Sequence, residues 1–257
     1  MRAWVIVALT LCATVQPVVA QAGSGGQTQV PLREHSGRLI VPVTGADGTE
    51  WDFILSTGTG VTVVSESAVA AMGSLEGLSL GGHPIDSRGA QTLPDEDLTA
   101  DGVVFAGMVG PSTLNQFDIL IDLPRERLIL QPVGPMVSWE GVSLSDPVRL
   151  RVLHGIILSL DVELNGTTYP AMLDLGTPTL LVNEGVQRDG SLRTDGSNVL
   201  TLGNRTFTGL PGEFRALPVF ERFSPTGAGF VLVGNPMTWG CALSISWVHR
   251  ELRTCAR

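Results

Sequence analysis

The sequence predicts an all-β protein built as two similar lobes, a bilobal double β-barrel with few short helices. Three observations carry that prediction. First, one pattern is written twice: Gly48-Thr49-Glu50-Trp51-Asp52-Phe53-Ile54-Leu55 leads into Ser56-Thr57-Gly58-Thr59, and Gly166-Thr167-Thr168-Tyr169-Pro170-Ala171-Met172-Leu173 leads into Asp174-Leu175-Gly176-Thr177. Second, two further landmarks repeat in the same order. Leu78-Ser79-Leu80-Gly81 returns as Leu200-Thr201-Leu202-Gly203, and Met108-Val109-Gly110 returns as Leu232-Val233-Gly234. The three pairs stand 118, 122 and 124 positions apart, the slow drift of two copies that have collected short loop insertions. Each copy has the usual size of a domain, and two copies of so long a period do not make a solenoid or propeller. Third, 31 Gly and 16 Pro residues break the chain too often for long helices and favour a turn-rich β protein.

Taken from the N-terminus, Arg2 precedes an apolar run over 3–11, and Val18-Val19-Ala20 places small residues before a cut. This is the layout of a secretory signal over residues 1–20. A lipoprotein anchor at Cys12 is the alternative, disfavoured by bulky Leu11 where such signals want a small residue. Residues 21–29 are rich in Gly, Ser and Gln, and a flexible leader is expected over 21–36. Lobe 1 is then assigned to 37–135 and lobe 2 to 136–257. No later stretch reaches the roughly 18 uninterrupted apolar residues of a membrane span. The mature chain is therefore expected to be exported, periplasmic or secreted, without stable membrane insertion.

Within lobe 1, 38–43 and 51–55 read as strands around a turn carrying Asp47 and Gly48. Within lobe 2, 157–164 and 168–173 flank Asn165-Gly166, the strongest short hairpin signal available. The runs 78–80 and 200–202 are followed by Gly81-Gly82 and Gly203-Asn204, again two-residue turn candidates. The clearest helix is 65–72, with Ser65 as N-cap, Glu66 in the first turn and Gly73 as a stop. At the C-terminus, 242–247 and 251–254 alternate around Val248-His249-Arg250 and read as a hairpin. Cys241 and Cys255 flank it, the two cysteines left once the signal is removed. In an oxidising compartment an even count favours a disulfide; two reduced, buried thiols are the alternative.

Composition excludes more than it selects. The net charge is −9, one unit more negative once Arg2 leaves with the signal, so no electrostatic footprint for nucleic acid is present. All 16 basic residues are Arg, which rules out a lysine nucleophile. His35, His83, His154 and His249 are far apart, without zinc-site spacing, and read as surface or loop residues. No metal and no cofactor are expected.

An apolar strand, then Asp-Thr/Ser-Gly and a small residue, followed later by an apolar-apolar-Gly element and a strand ending in Asp, resembles the aspartic peptidase family. Its bacterial retropepsin-like and pepsin-like branches are the most similar. Residues 39–130 resemble a full family unit, including Val109-Gly110 and Phe117-Asp118-Ile119-Leu120-Ile121-Asp122, and Asp174-Leu175-Gly176-Thr177 with Val233-Gly234 match it more loosely. The resemblance implies that Asp174 and Ser56 occupy the two catalytic positions, Ser56 standing where lobe 1 of the family carries the second Asp. It also implies a peptide-binding cleft whose backbone groups come from Thr57, Gly58, Thr59, Gly176 and Thr177, with a covering hairpin between Gly81 and Pro94.

Two carboxylates about 3 Å apart share one proton, so that one acts as base toward water while the other donates to the scissile carbonyl. A serine hydroxyl cannot serve as the second acid or base near neutral pH. The position after the catalytic Asp carries in the family a hydroxyl that bonds to the opposite loop; lobe 1 has Thr57 there, lobe 2 Leu175. Asp52 is the nearest candidate for rescue, but it lies roughly 13 Å from Ser56 along a strand. Three readings follow. The first is an exported, catalytically impaired relative, expected to be a monomer, whose cleft binds a peptide or protein. The second is an active aspartic endopeptidase relying on Asp174. The third is a structural β scaffold with no cleft ligand.

Overall fold

The computed structural model describes residues 21–22, 26–134, 138–238 and 240–256. The expected signal over 1–20, with Cys12, lies outside the described residues, as does the expected lobe boundary at 135/136.

The fold is all-β, with two similar curled sheets and a third that joins them. In lobe 1 the strands run, edge to edge, His83–Pro84, Ser79–Leu80, Arg38–Thr44, Glu50–Leu55, Gly107–Val109, Val63–Ser65 and Gln91–Leu93, with Arg33–His35 added beside Arg38–Thr44. In lobe 2 they run Arg205–Leu210, Asn198–Leu202, Ile157–Leu164, Thr167–Leu173, Val231–Val233, Leu180–Val182 and Gly212–Phe214, with Arg151–Leu153 beside Ile157–Leu164. The two orders match strand for strand. Each repeated landmark of the sequence therefore occupies the same place in its own sheet.

Local chemistry accounts for these elements. Asn165 and Gly166 both take positive φ, 50° and 89°, as a two-residue hairpin turn demands. At the first turn, Asp47 accepts from the backbone N–H and hydroxyl of Thr49. The helix Glu66–Met72 is capped by the Ser65 hydroxyl, which accepts from Ala68 N, and ends at Gly73 with φ of 68°. Leu80 pairs with His83 and Leu202 with Arg205, so both predicted two-residue turns form.

The third sheet, seven strands wide, is the seam. Its centre is Phe117–Asp122 of the first half paired antiparallel with Leu243–Ser246 of the second. Ile119 faces Ile245, Ile121 faces Leu243, and Leu120 faces Ser244. At the 124-position offset of this part of the repeat, Ser244 is the counterpart of Leu120. The seam is therefore self-complementary, as around a two-fold axis. One apolar cluster runs through it into both lobes, joining Leu39, Phe53 and Leu55 to Leu160, Leu173 and Val233.

The leader expected over 21–36 needs correction. Thr28–Pro31 pairs with Arg127–Pro132 at the seam sheet, and Arg33–His35 pairs with Arg38–Thr44. Buried Val30 and Leu32 supply the apolar area that holds this stretch in place. His35 and His83, read as surface or loop residues, lie on short strands with their rings against Phe105 and Phe117. The predicted C-terminal hairpin forms between Leu243–Ser246 and Glu251–Thr254, and a disulfide joins Cys241 to Cys255 with Cα atoms 5.3 Å apart. Among the described residues no helix is long and apolar enough to cross a membrane.

Candidate functional site

The two loops singled out by the repeat meet between the lobes. Each leaves the central strand of its sheet, Glu50–Leu55 or Thr167–Leu173, beside the parallel strand Gly107–Val109 or Val231–Val233. Ser56 N–H donates to Val109 O and Asp174 N–H to Val233 O, so both residues are pinned at equivalent points. The repeated Val-Gly landmark now has a physical reason. A Cβ on Gly110 would collide with Val61 O and Thr59 Oγ1, and one on Gly234 with Thr179 O and Thr177 O. Each loop packs directly against the bare glycine backbone.

The Ser56 hydroxyl donates to Asp174 Oδ1 at 2.9 Å. Gly176 N–H donates to the same oxygen at 3.0 Å, and the Thr177 hydroxyl donates to Asp174 Oδ2 at 3.1 Å. Gly58 N–H donates to Ser56 Oγ at 3.2 Å. The Asp174 carboxylate thus takes three donors, while Ser56 is 1% exposed. Gly58 and Gly176 play reciprocal parts: a Cβ on Gly58 would strike the Asp174 carboxylate, and one on Gly176 would strike Ser56. Thr59 faces inward, its hydroxyl donating to Val61 O at 3.0 Å.

Behind this pair, Thr57 spans the lobes. Its hydroxyl donates to Leu173 O at 2.8 Å and accepts from Leu175 N–H at 3.1 Å, both from the opposite loop. Leu175, 118 positions after Thr57, is buried in the shared core and returns no such bond. A second bridge comes from Asn235, fully buried, whose amide donates to Gly37 O at 2.7 Å and to Leu175 O at 3.1 Å.

The sequence-predicted residues are therefore brought together: Ser56, Thr57, Gly58 and Thr59 from one loop, Asp174, Gly176 and Thr177 from the other. Asp52 does not join them. It sits on the exposed side of its strand in an ion pair with Arg33. The covering hairpin expected between Gly81 and Pro94 also needs correction. Gly81 turns against Val30, Thr28 and Leu130, away toward the seam sheet, and Gln91–Leu93 returns as an edge strand parallel to Val63–Ser65. A separate two-stranded hairpin pairs Thr99–Ala100 with Val103–Val104, and its turn residue Asp101 accepts from the Ser36 hydroxyl. Ser36 adjoins Gly37, which packs on Pro178 just beyond the Asp174 loop.

Sequence reasoning treated Arg38 only as the start of a strand. In the structure its half-buried guanidinium lies within electrostatic reach of Asp174: burial pulls its pKa below the ordinary arginine value, and the Asp174 charge opposes that shift. The signal was present in the predicted hairpin. Pairing Ile40 with Ile54 and stepping two places outward sets Arg38 across from Ser56. Among the described residues no three His, Cys, Asp or Glu side chains gather as a metal site. Comparison with protein family models and with characterised proteins finds no match to the chain.

Proposed function

We propose that the chain is an exported protein of the aspartic peptidase type whose interlobe cleft binds a peptide or protein segment while its hydrolytic chemistry is withdrawn. The observation that carries this reading is the 2.9 Å hydrogen bond from Ser56 to Asp174, at the place where two carboxylates would share a proton. With one carboxylate the site has a base for water but no partner acid for the carbonyl, and the acid–base exchange of the two roles cannot run. Ser56 is also too deeply buried to attack a substrate itself. Binding by main-chain hydrogen bonds needs no catalytic pair. The disulfide between Cys241 and Cys255 fits an oxidising compartment.

The test is digestion of an unfolded protein substrate from about pH 3 to 7, the range in which carboxylate pairs titrate, by the purified chain, Asp174→Asn and Ser56→Asp. The native chain is expected to leave the substrate intact, with cleavage gained in Ser56→Asp. Cleavage by the native chain that vanishes in Asp174→Asn would overturn the reading.

A further inference from the structure

The site contains a charged group that the repeat does not duplicate. Arg38 lies on the same face of its sheet as Ser56, because alternation puts Arg38 with Ile40 and Ser56 with Ile54. In lobe 2 the ladder Ser159–Met172, carried outward by the same two places, sets Ile157 across from Asp174. Lobe 1 thus brings a cation without an anion, and lobe 2 an anion without a cation.

The anion is already served. Three donors converge on the Asp174 oxygens. The cation feels the Asp174 charge only at a distance: Arg38 Nε is buried without a hydrogen-bond partner, and no carboxylate among the described residues forms a salt bridge with it. Glu34, the acidic side chain nearest along the chain, is engaged with Gly37 N–H, and Asp101 with the Ser36 hydroxyl. The backbone keeps Arg38 beside the Asp174 loop, since Gly37 O is tied through the Asn235 amide to Leu175 O. A half-buried guanidinium offers a planar fork of donors that matches a carboxylate in two parallel hydrogen bonds.

We propose that Arg38 is the specificity-determining residue of the cleft and receives a carboxylate of the bound peptide, from an acidic side chain or from a free C-terminus. The inference rests on the peptide-binding reading. Its test is calorimetric titration of the full mature chain with extended apolar hexapeptides in four forms: a central Asp with blocked ends, the Asn equivalent, a neutral peptide with free C-terminal carboxylate, and its amide. At least one carboxylate form is expected to bind about tenfold or more tightly than its neutral counterpart, the scale of one charge-assisted contact. Whichever form shows the preference identifies the source of the carboxylate.

Arg38→Gln is expected to erase the preference, so that carboxylate and neutral forms bind alike. Arg38→Lys, which keeps charge but loses the fork, is expected to retain part of it and serves if the Gln variant does not fold. Equal binding of carboxylate and neutral forms, or a preference that survives Arg38→Gln, would overturn the assignment while sparing the peptide-binding reading. No binding of any of the four peptides would overturn both.

Discussion

The Thr57 hydroxyl is held between Leu173 O and Leu175 N–H of the opposite lobe. Because Leu175 offers no hydroxyl in return, this pair of bonds is not duplicated by the other loop, and Thr57 carries it beside the bridges from Ser56 and Asn235. Thr57→Val preserves shape while stranding a buried carbonyl and a buried N–H. The variant is expected to lose about 1–3 kcal/mol, the cost of unpaired buried polar groups, measured by urea unfolding. A loss below a few tenths of a kcal/mol would mean that the two Thr57 bonds add nothing net to the lobe contact.

Gly58→Ala tests how tightly the two loops close. The added Cβ would run into the Asp174 carboxylate, so the hydrogen bond from Ser56 has to break or the loops have to separate. Overpacking of this kind costs about 1–3 kcal/mol. Gly45→Ala, whose Cβ lies no nearer than 3.0 Å to its closest neighbour and meets chiefly a surface turn, is expected to cost less. Thermal and urea unfolding of the two variants side by side would expose the difference.

Joint replacement of Cys241 and Cys255 by Ser opens a loop whose ends are 14 residues apart. A loss of about 3 kcal/mol is expected from the freed chain entropy. Reduction of the native protein should produce the same shift in urea midpoint, because the removed constraint is the same.

Acid should weaken the fold through several aspartates at once. Hydrogen bonds from Arg151 pull the Asp161 carboxyl below its ordinary pKa, and bonds from Thr49, Arg88 and Ser197 do the same for Asp47, Asp86 and Asp195. Depressed folded-state values mean that the unfolded chain binds more protons, so stability rises with pH through this range. The contribution is present above the unfolded aspartate value of about 3.9 and disappears as pH falls through the lower folded values. Urea midpoints between pH 2 and 7 should fall below about pH 4, where these carboxyls begin to protonate, and Arg151→Gln should flatten the acid limb. A flat profile would contradict the assignment.

Much of the candidate site was legible because it sits on a repeat. Gly166 after Asn165, Gly73 after the helix, and the bare Gly110 and Gly234 are required by backbone geometry, which leaves a mark in a single sequence. The 118-position match of Ser56 to Asp174 pointed to one location before any contact was known. Other parts depended on which chain segments lie side by side. Thr28–Pro31 has a polar, Gly-rich approach, yet it is a strand because Arg127–Pro132 offers an open edge far along the chain. The hairpin at Thr99–Val104 was overlooked because its strands are two residues each, too short for alternation to register. Arg38 opens the predicted strand 38–43, but the apolar pattern stops at Leu39 and Leu55 and leaves no mark of Arg38 standing across from Ser56.

The seam has a consequence for how the molecule comes into being. Phe117–Asp122 is made first, and its mate Leu243–Ser246 follows only after the whole of the second sheet. Until that partner arrives, the first half carries a strand of apolar residues with one row of N–H and C=O groups unanswered, the kind of edge that recruits strangers. Contacts so distant in sequence are slow to form. The hairpin over 243–254 therefore completes the first lobe as much as the second, and a chain lacking it would leave both halves with an adhesive border.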